Sequence, residues 1–126
     1  MPEIIGRLKR RTDYKRVALE GQKCVMRGFV LQAAPFAADL SPTPDCDLRI
    51  GLTVTKRIGN AVVRNRARRR LRAAASEVFP TRARTGYDYV LIARQSTPVR
   101  PYHDLIGDME MALARLDRPP SERSSG

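Results

Sequence analysis

From Leu48 to Thr55 the chain alternates strictly. Leu48, Ile50, Leu52 and Val54 are apolar, whereas Arg49, Gly51, Thr53 and Thr55 are small or polar. A period of two predicts a strand with one buried face. Immediately downstream the period lengthens. Val63, Ala67, Leu71, Ala74 and Val78 recur at spacings of four and three, which predicts a helix over residues 59–79 with one face on a core. Gly59-Asn60 opens this helix, and Pro80 and Gly86 bound a basic connector after it.

The remaining elements follow from the same patterns. Residues 24–34 (CVMRGFVLQAA) read as one strand with Val25, Phe29 and Leu31 inward, and residues 87–94 (YDYVLIAR) as a mostly apolar strand, central in a sheet. Leu105, Ile106, Met109, Ala112, Leu113 and Leu116 give an amphipathic helix over about 101–116. Thr12-Asp13 caps a shorter helix over 14–21, with Val17, Ala18 and Leu19 to bury and Gly21 to end it. Residues 35–47 are rich in breakers and form the one long loop. Residues 1–118 make a single domain, and PPSERSSG, residues 119–126, a disordered tail. The order helix, strand, strand, helix, strand, helix gives an α+β class. Strand 48–55, helix 59–79 and strand 87–94 can form one crossover unit. The apolar face of the sheet then carries helices, while its polar face stays partly open under the short first helix.

At 126 residues with 42% hydrophobic and 29% charged side chains, the chain is long enough for one modest core. Its formal net charge of +11 calls for an anionic polymer or an anionic membrane surface. No apolar stretch approaches the roughly 18 residues of a membrane span. The N-terminus MPEIIGRLKRR lacks the apolar centre of a secretory signal, so the expected location is cytoplasmic. Cys24 and Cys46 are isolated and read as free thiols; with one histidine, a structural zinc site is not expected.

The charge is concentrated. Eight of the 24 Lys and Arg residues, and no acid, lie in residues 56–72 (KRIGNAVVRNRARRRLR). Asn65, Arg69 and Arg72 fall opposite the apolar stripe, Arg66 and Arg68 flank that line, and Arg64 and Arg70 lie near the edges of the apolar stripe. Guanidinium groups bind phosphate bidentately and stack on bases, which suits RNA. An Ala-rich stripe suits packing on a sheet better than insertion into lipid. The Gly59-Asn60 helix start places backbone N–H groups beside Lys56 and Arg57, an arrangement that serves capping and anion binding alike. Asn65, between two arginines, can donate and accept. His103 is the lone histidine and reads as a surface residue, with no nucleophile motif, phosphate loop or carboxylate cluster beside it. The residues alone leave open a ribosomal or ribosome-associated RNA-binding protein, a membrane-surface protein and, less well served, a protein-only nuclease.

The segment LRIGLTVTKRIGNAVVRNRARRRLR resembles the signature of the bacterial ribonuclease P protein family, in which an Arg-Asn-Arg motif lies on a helix after a strand and turn; here it is Arg64-Asn65-Arg66. RLKRRTDYKRVALEGQK and YDYVLIARQ are similar to the family's first helix and later strand, so the resemblance covers about residues 7–115. It implies a single-domain α/β sandwich with a small four-stranded sheet and a left-handed βαβ crossover like that of a ribosomal protein domain. It also implies a monomer in a 1:1 ribonucleoprotein with a catalytic RNA. That RNA removes the 5′ leader of precursor tRNA with magnesium ions held mainly by RNA, and the protein itself has no catalytic residue, no tightly bound metal and no membrane partner.

By the same resemblance, Lys56, Arg57, Asn60, Arg64, Asn65, Arg66, Arg68, Arg69 and Arg72 face the catalytic RNA. Tyr14, Val30, Gln32, Thr53, Thr55 and Lys56 line a cleft for the leader. Thr53 and Thr55 also fall on the polar strand face by alternation alone. Ala18 stands where the family often has a second aromatic, and Gln32 where some members have a tyrosine, which leaves Tyr14 as the main stacking platform.

Overall fold

The structure, a computed structural model, describes residues 5–37 and 47–116. The expected tail and most of the expected loop lie outside these residues. The elements are β1 (Ile5–Arg7), α1 (Arg11–Glu20), β2 (Gln22–Val25), β3 (Phe29–Pro35), β4 (Leu48–Thr53), a 3-10 turn (Lys56–Ile58), α2 (Ala61–Arg82), β5 (Tyr87–Ala93) and α3 (Tyr102–Leu116). They build one sheet in the order β1-β4-β5-β3-β2. β4 runs parallel to both β1 and β5, and β3 antiparallel to both β5 and β2. The sheet therefore has five strands rather than four. The extra one, β1, is too short at three residues for an alternation to show.

The crossover unit β4-α2-β5 forms as expected. Ala67, Leu71, Ala74 and Val78 of α2 are buried, as are Leu105, Met109, Ala112 and Leu113 of α3. Both helices cover one face of the sheet, where they enclose Phe29, Leu31, Leu48 and Leu91. α1 alone covers part of the other face, burying Val17 with Leu8, Ala34 and Val90.

Four expectations are corrected. The first helix starts at Arg11 behind Arg10, which makes no side-chain cap bond, so Thr12 and Asp13 lie inside its first turn. Of its apolar residues only Val17 is buried; Leu19 is 86% exposed, because the helix rests on the sheet along the Tyr14–Val17 side only. α2 runs through Pro80 to Arg82. Proline removes one backbone donor there, but burial of Val78, Phe79 and Ala83 against the core offsets that loss.

The fourth correction concerns residues 24–34, which form a hairpin rather than one strand. β2 pairs with β3 so that Cys24 meets Leu31 and Val25 meets Val30. The turn is held by residues far along the chain. Gly28 N donates to Asp108 Oδ2 at 3.1 Å, and Thr97 Oγ1 donates to Gly28 O at 2.5 Å. Asp108 also accepts from Arg100 Nε at 2.6 Å. A β-carbon at position 28 would sit 2.8 Å from Asp108 Oδ2, so a larger residue there would displace the carboxylate that accepts from Gly28 N. Alternation across the hairpin also puts Val25, expected in the core, on the α1 side of the sheet, where it is 54% exposed.

Candidate nucleic-acid interface

The basic helix is built from its cap outward. Gly59 has φ 147°, a conformation that favours glycine, and leads into Asn60. Asn60 Oδ1 accepts from Val63 N at 3.0 Å and so satisfies one of the free amides of the first turn. The Asn60 oxygen is thus engaged by the helix. Lys56 and Arg57 are exposed on the preceding 3-10 turn. Gln95 Nε2 donates to the Arg57 carbonyl at 3.3 Å, tying that turn to the loop after β5.

The arginines of α2 divide by role. Asn65, Arg66, Arg69 and Arg72 are exposed, while Arg64 and Arg68 are half-buried. Arg68 Nη1 donates to Asn65 Oδ1 at 3.0 Å, which orders the Asn65 side chain and leaves its amide N–H groups to face outward partners. The half-buried Arg64 keeps a buried Nε without a hydrogen-bond partner among the described residues. Arg70 is different. Its Nε donates to Thr97 O at 3.0 Å and its Nη2 to Arg100 O, so it clamps the loop between β5 and α3. From Ala61 to Arg72 the helix therefore presents an acid-free basic surface while using one arginine, Arg70, for its own attachment.

The second surface follows from strand register. On the α1 side of the sheet, residues pair across β4, β5 and β3 in three rows: Arg49–Asp88–Ala34, Gly51–Val90–Gln32 and Thr53–Ile92–Val30. The first row is closed. Asp88 is fully buried; it accepts from Arg49 Nε and Nη2, each at 2.7 Å, and from Arg16 of α1. Arg16 Nη1 also donates to Pro35 O at 2.8 Å, and Arg49 Nη1 lies 3.7 Å from Asp13. This cluster fastens α1 across the sheet. The second row lies under α1: Val90 is buried with Val17, and Tyr14 stands against Gly51. The third row is left half-exposed, and Val25 of β2 extends it.

Val30, Gln32 and Thr53 thus come together on one face with the half-buried Tyr14, and Thr55 and Lys56 are exposed just beyond the end of β4. Ile92 and Val25 belong to the same floor and escape a sequence reading. In β5 both faces are apolar, so alternation does not separate Ile92 from Leu91, and Val25 changes sides only because of the hairpin. The floor is apolar at Val25, Val30 and Ile92 and polar at Thr53 and Gln32; it is bounded by Tyr14 on one side and by Thr55 and Lys56 at its end. Such a surface can seat unstacked bases and hold their phosphates at its margin.

Metal chemistry finds no donor set here. Among the described residues no three His, Cys, Asp or Glu side chains converge, and Asp88 and Asp108 are both engaged by arginines. His103 is exposed beside Asp104, with Nε2 at 3.2 Å from Oδ1. Cys24 is buried against Met26 in the core. Among the described residues no helix is long and apolar enough to cross a membrane.

Fold and surfaces together define a small basic α/β protein of the RNA-binding kind, with its cationic helix and its open sheet face kept separate. Comparison with known proteins makes this specific. The family model Ribonuclease P matches residues 5–117. The ribonuclease P protein component of Paramagnetospirillum magneticum is 49% identical over 117 residues, covering 92% of this chain and 86% of the relative. That of Gluconacetobacter diazotrophicus is 44% identical over 115 residues, covering 91% and 94%. Among solved structures, the Staphylococcus aureus RNase P protein has a TM-score of 0.68 at 25% identity, over 89% of this chain and 97% of that one. The Thermotoga maritima RNase P protein also scores 0.68, over 89% and 98%, at 20% identity, a likeness of fold. The chain belongs to the ribonuclease P protein family.

Proposed function

We propose that this protein is the RNA-binding subunit of ribonuclease P and supports a catalytic RNA in cutting the 5′ leader from precursor tRNA. The observation that carries this reading is the division of the molecule into two surfaces. The exposed Asn65, Arg66, Arg69 and Arg72 on α2 hold the catalytic RNA, with Arg64, Arg68 and the turn residues Lys56 and Arg57 beside them. The row Thr53–Ile92–Val30, with Gln32 and Tyr14, receives the single-stranded leader. Thr55 and Lys56 border both. The protein is a monomer in a 1:1 ribonucleoprotein and works in the cytoplasm.

The chemistry belongs to the RNA. Among the described residues the acids do not converge on a magnesium site, and the buried ones, Asp88 and Asp108, are held by arginines; in this reading the magnesium ions of the holoenzyme are bound mainly by RNA. The protein contributes charge neutralisation and substrate positioning. Reconstitution tests the proposal. The protein is mixed with the ribonuclease P RNA of its own organism, and precursor cleavage is measured at low magnesium. Faster cleavage and tighter precursor binding with protein are expected. Cleavage unchanged by the protein, together with co-sedimentation of the protein with ribosomal subunits, would replace this reading with that of a ribosome-associated protein.

A further inference from the structure

A cavity of about 440 Å³ opens where β1 stops. β1 ends at Arg7, opposite Ile50, while β4 continues through Gly51 and Leu52 to Thr53. The uncovered edge of β4 leaves a notch that joins the α1 side of the sheet to the α2 side. Its volume falls in the roughly 300–1,000 Å³ range of small-molecule sites. Ile50, Leu52 and Ala75 make an apolar floor, and Tyr14 supplies an aromatic wall. On the rim, α2 lines up Arg68, Arg72 and Ser76 at four-residue spacing, and Lys9 stands across from them. β1 is the edge strand of the sheet, and no described strand pairs with its outer side. An unpaired strand edge offers backbone donors and acceptors.

An apolar slot, an aromatic wall, free backbone polar groups and several cations are the requirements of one unstacked nucleotide. We infer that the notch binds a single nucleotide of the catalytic RNA, with its base against Tyr14 and the apolar floor and its phosphate on Arg68 and Arg72. The choice of the catalytic RNA follows from the lining: of its four cations, Arg7, Lys9, Arg68 and Arg72, the last two belong to the helix that faces that RNA. The inference therefore rests on the RNA-binding reading of α2. Tyr14 then serves both surfaces, as the wall between the notch and the open row.

Ser76 is exposed and lines the notch, so Ser76→Phe fills it without touching the core. Affinity of the catalytic RNA for this variant is expected to fall about tenfold, the loss of one stacked base. The melting temperature of Ser76→Phe is expected to stay unchanged. Preference for leader-bearing precursor over mature tRNA should persist in the Ser76→Phe holoenzyme. With the free protein, adenosine monophosphate should shift the amide signals of Gly6 and Ser76, and inorganic phosphate should shift neither. Undiminished RNA affinity in Ser76→Phe overturns the inference, and so does a loss confined to leader preference, which would put the leader in the notch. Arg69→Ala, outside the notch, separates the two levels. If it weakens RNA binding while Ser76→Phe does not, only the notch fails; if neither does, the reading of α2 fails with it.

Discussion

The Tyr14 ring lies over Gly51, so close that a β-carbon at position 51 would come within 2.6 Å of Tyr14 Cε1, Cζ and the hydroxyl. The hydroxyl donates to Leu8 O at 3.3 Å, which fixes the ring at the margin of the open row. Gly51 is thus the seat of the aromatic platform. Gly51→Ala should displace Tyr14 while leaving the fold intact, because a side-chain tip can move. Tyr14→Ala should cost about 1–3 kcal/mol of precursor binding, the range for loss of one stacked base. Both variants should weaken leader-bearing precursor more than mature tRNA in equilibrium binding. Equal losses for the two substrates would remove Tyr14 from the leader site.

Asp88 holds α1 to the sheet. Asp88→Asn leaves Arg16 and Arg49 without their shared carboxylate, and breaking such a buried pair costs about 3 kcal/mol. Urea denaturation should show a correspondingly lower midpoint. A midpoint within error of wild type would mean that Val17 and Tyr14 alone seat α1.

Arg69 and Arg70 are neighbours with opposite expected behaviour. Arg70→Ala removes charged hydrogen bonds to two carbonyls and should cost about 2 kcal/mol of stability with little effect on RNA affinity. Arg69→Ala should leave the melting temperature in place and reduce RNA affinity, lowering the slope of log affinity against log salt by about one. Thermal melts and filter binding at several salt concentrations check both. Reversed effects would exchange the assignments.

Association with the catalytic RNA should depend steeply on salt. With on the order of six phosphate contacts, affinity should fall about a thousandfold between low and moderate salt. A nearly flat profile would contradict a binding surface built from the exposed α2 arginines.

The protein freed of RNA should not cleave precursor tRNA at any magnesium concentration, since the buried acids among the described residues, Asp88 and Asp108, are engaged by Arg16, Arg49 and Arg100. Cleavage by protein treated with ribonuclease and repurified in denaturant would overturn that expectation.

Much of the candidate site is legible in the sequence where function and periodicity share one element. The exposed side of α2 is the complement of its Val63–Val78 stripe, and Thr53 follows from the alternation of β4. The separation of Arg70 from its neighbours is not legible, because its partners Thr97 and Arg100 lie 27 and 30 residues away. The place of Asp88 is hidden for the same reason. In YDYVLIAR it reads as a polar residue at a strand start, whereas it is buried by Arg49 from β4 and Arg16 from α1.

The sequence by itself determined the helix α2, the strand β4, the segregation of positive charge and the family, since each is written in a local period or a contiguous motif. Tertiary structure alone decided the fifth strand, the break at Gly28, the closed and open rows of the sheet and the notch beside β1. These depend on which strands become neighbours and in what register. Neighbourhood is set by burial and hydrogen bonding between residues far apart in the chain, and no local pattern carries it.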